Sequence, residues 1–257
     1  MLMKIYISKY HKISKKNIEE ILLNFNSLGQ SFFAGKKHRR NHIKVVEQKG
    51  RKFNIKSFKQ PNFINRYVYV FFRQSKAERS FKFAEKLIKK GIRTPKPIAF
   101  AEETNRAALT KSFYVSEHLD YDLTFRDLDL KVPAHEDILR AFSRFTFKLH
   151  ENNIEFLDHS PGNTLIQINN GDYLFYLVDL NRMNFKPLNF NERMNNFARL
   201  SPDREIIKIM AEEYARLIGK SENEVFEKMW FYANSFFVNR AKSRKRKQKF
   251  KNLVGLK

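Results

Sequence analysis

Cysteine is absent from the 257-residue chain, which excludes disulfides, thiolate zinc sites and a cysteine nucleophile and makes a reducing cytoplasm the simplest home. Long apolar runs are missing too. The longest, such as Tyr67 to Phe72, span about six residues, whereas a membrane-spanning helix needs roughly 20. The start, Met1-Leu2-Met3-Lys4, leads directly into polar Ser8-Lys9-Tyr10-His11-Lys12 without the apolar centre of a signal peptide, so a soluble or peripheral protein is expected. Acidic residues are scarce, 27 against 50 lysines and arginines, and the formal charge of +23 requires a face or tail that attracts polyanions: nucleic acid, anionic lipid or phosphorylated glycans. A hydrophobic fraction of 42% argues against wholesale disorder, and the length suffices for one large domain or two lobes.

The first part reads as strands and turns. Ile43 to Val46 and Phe53 to Lys56 flank the turn-like Gln48-Lys49-Gly50-Arg51 and predict a hairpin. From Ser75 to Lys90 the apolar residues Ala77, Phe81, Ala84, Leu87 and Ile88 recur at helical steps behind a capping serine, and the helix ends near Gly91. Thr94-Pro95-Lys96-Pro97 forces an extended connection. Strands at Ile98 to Ala101 and Ser112 to Ser116 follow, joined by a polar turn at Glu102 to Arg106. From Pro133 onward Ile138, Phe142, Phe145 and Leu149 form a helical stripe, and two more helices are expected behind Ser201-Pro202 and behind Ser221 to Glu224. The change from β-rich to α-rich places a boundary near Glu117 to Asp120, with any active site in the cleft between two lobes. The basic run Arg240 to Lys251 reads as a helix extension or a solvated tail.

Chemistry concentrates in Phe156-Leu157-Asp158-His159-Ser160-Pro161-Gly162-Asn163, followed by Tyr176-Leu177-Val178-Asp179-Leu180-Asn181-Arg182-Met183. Pro161 and Gly162 make the first segment a loop that can turn Asp158 and Asn163 toward one point. Leu165 to Ile168 and Phe175 to Val178 form a hairpin around Asn169-Asn170-Gly171-Asp172, which would return Asp179 to the neighbourhood of Asn163. Phosphoryl transfer needs such a set: Asp158 as the base that orients an acceptor hydroxyl, with Asn163 and Asp179 as oxygen ligands of magnesium. The plain alternative is that Asp158 and Asn163 cap a turn and Asp179 caps the next element. His159 is read as packing the loop rather than as a second base.

These residues resemble those of the lipopolysaccharide kinases, the family of the Kdo kinases and core heptose kinases, over roughly residues 30 to 240. Four stretches carry the likeness: Phe53 to Phe58, Ser75 to Phe81, Gly91 to Ala99, and Asp158 to Asn163 with Val178 to Met183. The resemblance implies a kinase-like fold that uses ATP and Mg2+ to phosphorylate a sugar of the lipopolysaccharide inner core. It assigns Lys56 to the ATP phosphates, against the alternative of one more solvent-facing lysine. Glu78 is the candidate ion-pair partner of that lysine, with Glu85 on the same predicted helix competing. Glu117 and Leu119, at the expected boundary, would offer backbone groups to adenine.

Several features depart from protein kinases. No Gly-x-Gly-x-x-Gly loop is present, although basic Gly35 to Asn41 falls where a phosphate-covering turn would lie. Leu157 stands where an arginine usually precedes the catalytic aspartate, the metal-binding triplet reads Asp179-Leu180-Asn181, and no Ala-Pro-Glu element follows. Regulation by activation-loop phosphorylation and a peptide substrate are thus disfavoured, and a small or glycan hydroxyl is the better acceptor.

The expected architecture is α+β and two-lobed: residues 1–117 as a β-rich ATP-binding lobe, 118–239 as a helical catalytic lobe and 240–257 as a basic tail. The expected acceptor is Kdo on a lipid A precursor, with the tail meeting an anionic membrane surface at the cytoplasmic face. Two other readings stand beside it. One is an atypical kinase for another small molecule or a protein; the other is a kinase-like basic module that binds RNA without catalysis.

Overall fold

Residues 2–25, 30–31, 41–58, 74–105 and 108–253 are described in the computed structural model of the chain. The basic stretch 35–40, the apolar stretch 67–72 and the final residues 254–257 lie outside them. The chain divides into two compact units, Met1–Asp120 with Tyr176–Arg182, and Tyr121–Phe175 with Met183–Lys257.

In the first unit the described strands are β1 (Leu2–Ile7), β2 (Gln30–Ser31), β3 (Asn41–Gln48), β4 (Arg51–Phe58), β5 (Pro97–Asn105) and β6 (Ala108–Glu117). They form one antiparallel sheet in the order β1-β5-β6-β4-β3-β2. Lys49 and Gly50, both at positive φ (53° and 71°), close the β3–β4 hairpin at the expected turn with the twist that antiparallel strands favour. Strand alternation then sorts the side chains. Phe53, Ile55, Ala99, Ala101, Phe113 and Val115 join a core with Ile18, Ile21 and Leu22 of helix α1 (Lys15–Leu23), which Ser14 caps. On the other face Phe58 and Phe100 pack with Ala77 and Phe81 of helix α2 (Lys76–Lys89). Lys56 shares that second face, paired in register with Tyr114.

Two local expectations need correction here. Ile88 is 37% exposed and lies off the buried stripe of α2, because one residue past Leu87 the helix has turned about 100°. Glu102 to Asn105 belong to β5 rather than to a turn: Glu103 is buried, and its carboxylate accepts from Lys111 and Thr110 across the hairpin, which makes a polar strand end affordable.

The second unit is helical: α3 (Ala134–Glu151), α4 (Phe190–Asn196), α5 (Arg204–Ile218) and α6 (Glu222–Leu253). Its core holds Ile138, Phe142, Phe197, Met210, Tyr214 and Met229. Helix α5 starts later than the serine and proline suggest. Asp203 is its cap, accepting from the Glu205 amide, while Ser201 accepts from the Asp203 amide in the turn before it. Short strands frame the loops: β7 (Leu123–Thr124), β8 (Ile154–Phe156), β9 (Thr164–Asn169), β10 (Asp172–Leu177) and β11 (Met183–Phe185). They pair in the orders β10-β9-β7 and β11-β8, with Met183 opposite Phe156.

The β9–β10 hairpin turns on Asn170 and Gly171, at φ 49° and 86°. Nothing lies within 4 Å of where a Gly171 side chain would begin, so substitution acts through backbone strain alone. Gly171→Ala is expected to destabilise the protein by about 1 kcal/mol, seen in urea titration as a lower midpoint at unchanged slope.

Candidate active site

The residues singled out by the sequence assemble into two groups, one in each unit. In the first unit the Thr94-Pro95 connection holds the segment that carries Asp179. The Leu177 amide donates to the Arg93 carbonyl at 3.1 Å, and the buried Thr94 hydroxyl donates to the Leu177 carbonyl at 2.8 Å. Two residues later Asp179 occupies the left-handed region at φ 59°, a conformation that a residue with a β-carbon adopts at a cost of roughly 1–3 kcal/mol. Its Oδ1 meets the Lys56 ammonium at 2.6 Å and accepts from Asn181 Nδ2 at 2.5 Å. Lys56 is 9% exposed, and its ammonium lies 5.3 Å from the centre of the Phe58 ring, so it is not one more solvent-facing lysine.

More positive charge surrounds this pair. Burial lowers the Lys76 ammonium below the usual lysine value, and the neighbouring Arg182 and Arg79 lower it further, while Asp179 opposes them. Lys76 opens α2 and Arg79 lies one turn on, where cations oppose the helix dipole. The helix dipole therefore does not account for these residues. Both lie within the stretch Ser75 to Phe81 that carries the family likeness, and the sequence alone assigns neither a role. The discernible signal was the misplacement of two cations in a helix's first turn.

The lysine's partner is Asp179 and not the expected glutamate. Glu78 pairs at 2.6 Å with Lys82, one turn along the same helix, and Glu85 accepts from the Ser8 hydroxyl. At the boundary segment the Glu117 carboxylate faces Arg51 at 3.5 Å and His11 at 3.8 Å, and its amide donates to the Lys96 carbonyl. Leu119 is half-buried.

In the second unit the loop after β8 is fastened from within. The His159 amide donates to the Phe156 carbonyl, the Asn163 amide to Ser160, and Asn163 Nδ2 to the Asp158 carbonyl at 2.8 Å. The last bond leaves the Asn163 amide oxygen as that side chain's acceptor. The Arg126 amide donates to the Pro161 carbonyl, and its guanidinium lies so close to Gly162 that a β-carbon there would sit 2.7 Å from Nη2. Asp158 faces the Arg199 guanidinium at 3.6 Å, and Arg199 in turn stacks over Phe236.

Beneath the loop, His159 packs between Phe142 and Phe156, as a loop-packing histidine should. Burial pushes its pKa down to about 3. His150 is also buried, bonded to the Tyr214 hydroxyl at 2.7 Å and to Asn196 Oδ1 at 3.2 Å, and burial lowers it to about 4. Asn196 then donates to the Phe156 carbonyl, so this network reaches the strand that feeds Asp158.

This geometry defines a kinase-like fold, and comparison with solved structures agrees. WaaP in complex with acyl carrier protein matches at a TM-score of 0.61 and 14% identity, covering 93% of this chain and 98% of that one. The aminoglycoside-3'-phosphotransferase of type VIII matches at a TM-score of 0.57 and 10% identity, covering 85% and 98%. No curated protein sequence matches the chain. The sequence profile of the lipopolysaccharide kinase (Kdo/WaaP) family matches residues 25–220, and the chain belongs to that family. Membership makes it an ATP-dependent kinase of the lipopolysaccharide core.

Two predictions follow from this site's construction. Thr94→Val leaves the buried Leu177 carbonyl without its donor, so a loss of about 1–3 kcal/mol in stability is expected, together with weaker ATP binding by calorimetry because Asp179 is no longer held. The buried histidines predict acid sensitivity. Both are neutral when folded and protonate near pH 6.5 when unfolded, so the unfolded chain takes up more protons as pH falls. Their contribution is intact above about pH 6.5 and is lost toward pH 4 and then pH 3, on the order of 3 to 5 kcal/mol each. Urea unfolding at stepped pH checks this, and His159→Leu should flatten the slope.

Proposed function

We propose that this kinase transfers the ATP γ-phosphoryl group to a hydroxyl of a Kdo residue on a lipid A precursor, at the cytoplasmic face of the inner membrane. The observation that carries the reading is the Lys56–Asp179 ion pair: a buried lysine and a conformationally strained aspartate, set among further cations, in a chain of this family. Lys56 would bind the phosphates. The donor set fits magnesium, which takes hard oxygen ligands and needs only one or two from protein when phosphates and water supply the rest. Asp179 offers a carboxylate and Asn163 an amide oxygen already turned away from its own donor bond. Magnesium held by such oxygens would neutralise charge on the transferring group.

Asp158 would accept the acceptor hydroxyl's proton. The Glu117 carbonyl and Leu119 amide would meet adenine. For the acceptor, Arg199 beside Asp158 and Arg126 packed against the Asp158 loop would supply counter-charge for an anionic sugar, and Kdo carries a carboxylate that a heptose lacks. Glu78 remains a candidate for the phosphate-binding region only through a rearrangement that frees it from Lys82.

The test is ATP turnover with magnesium and a Kdo-bearing lipid A precursor. Asp158→Ala is expected to lower kcat by a factor on the order of 10²–10⁴ with ATP affinity kept, and Lys56→Met to weaken ATP binding. Turnover with a heptose-bearing acceptor alone would move the reading to the heptose. ATP binding without transfer to either would assign another acceptor, a small molecule or a protein. Failure to bind ATP would leave a non-catalytic module.

A further inference from the structure

Helix α6 is 32 residues long, but its buried and half-buried side chains end at Phe237, about halfway along. Val225, Met229 and Ala233 are its buried residues, and from Val238 to Leu253 every side chain is exposed, a length of about 24 Å. Eight of the twelve residues from Arg240 to Lys251 are lysine or arginine and none is acidic. Residues four apart therefore meet as like charges, Lys242 with Arg246, Lys245 with Lys249 and Lys247 with Lys251, which disfavours an isolated helix. A polyanion would relieve that repulsion.

The side of α6 opposite its buried row says which polyanion. Phe231 and Val238, two helical turns apart, are 59% and 41% exposed there, and the same line continues through Lys242, Lys245 and Lys249 to Leu253, which is 86% exposed, with Phe250 beside it at 65%. Large apolar side chains punctuating a row of lysines suit the boundary of a bilayer. Rings and branched chains reach the acyl region, while lysine stems lie along it and their ammonium groups rise to lipid phosphates. A nucleic-acid backbone gives an exposed valine or leucine nothing to bury against.

We infer that this face of α6 docks the enzyme on an anionic lipid leaflet. The protein would then bind reversibly as a peripheral enzyme, since among the described residues no helix is long and apolar enough to cross a membrane. The inference goes beyond the acceptor assignment and does not depend on it: vesicle binding is measured without any acceptor.

The experiment is co-sedimentation of the full chain with vesicles of phosphatidylglycerol in phosphatidylcholine, with phosphatidylcholine alone, and titration with duplex RNA. Binding to the anionic vesicles and not to the neutral ones is expected. Lys242→Gln/Lys245→Gln/Lys249→Gln should weaken it about a hundredfold, at roughly fivefold per cation. Phe250→Ser/Leu253→Ser should weaken it at least about tenfold. All five positions are exposed, so circular dichroism and ATP affinity should stay unchanged. Absence of anionic-vesicle binding, or binding indifferent to both variants, would overturn the inference. So would RNA binding tighter than vesicle binding and insensitive to Phe250→Ser/Leu253→Ser, which would make the helix a nucleic-acid surface.

Discussion

Asp179 is held where its own backbone would rather not be, and much of the first unit can be understood as the means of keeping it there. A left-handed φ at a residue with a β-carbon persists only if the surroundings over-determine it. Three constraints do so. Arg93 and Thr94 take the two backbone groups of Leu177; Asn181 closes a side-chain bond onto the same carboxylate oxygen that Lys56 holds; and Lys56 is itself fixed by its place on β4 beside Tyr114 and Phe58. Tilting any one of these would let the aspartate relax. That a strained carboxylate is pinned by a buried cation is what favours a chemical role over a capping role for Asp179.

Beneath its loop the second unit relies on neutral groups. The loop of Asp158 and Asn163 rests on an aromatic layer that includes a neutral histidine, and the strand before it is tied down by a chain running from Tyr214 through His150 and Asn196 to a backbone carbonyl. Every member of that chain has its partner, which is the condition under which a buried polar network confers rigidity. The buried neutral histidines come at the expense of tolerance to acid.

Much of this was legible because local rules governed it. The two hairpin turns were readable from Lys49-Gly50 and Asn170-Gly171, positions where a positive φ is required, and the helices from Ser75 and Pro133 from their apolar spacing. The Asp158–Asn163 loop was legible from its proline and glycine. The lysine's partner was not, since several carboxylates lie at comparable sequence distance and only three-dimensional packing decides between them: Glu78 finds a lysine four residues on, and Asp179 arrives from 123 residues beyond Lys56. Helix α1 escaped notice because its stripe of Ile18, Ile21 and Leu22 is short and flanked by lysines. Capping by Asp203 instead of Ser201 is a choice between adjacent competent residues, which composition cannot make.

The charge of +23 takes on a different sense once it is located. Positive groups gather around Asp179, flank the Asp158 loop as Arg126 and Arg199, and crowd the end of α6. Proteins avoid such concentrations when nothing is gained, because self-repulsion weakens the compact state. A nucleoside triphosphate, an acidic sugar and an anionic leaflet would each present negative charge to one of these places. Under the proposed reading each of the three has its counterpart, whereas a neutral acceptor in bulk water would leave two of them without one.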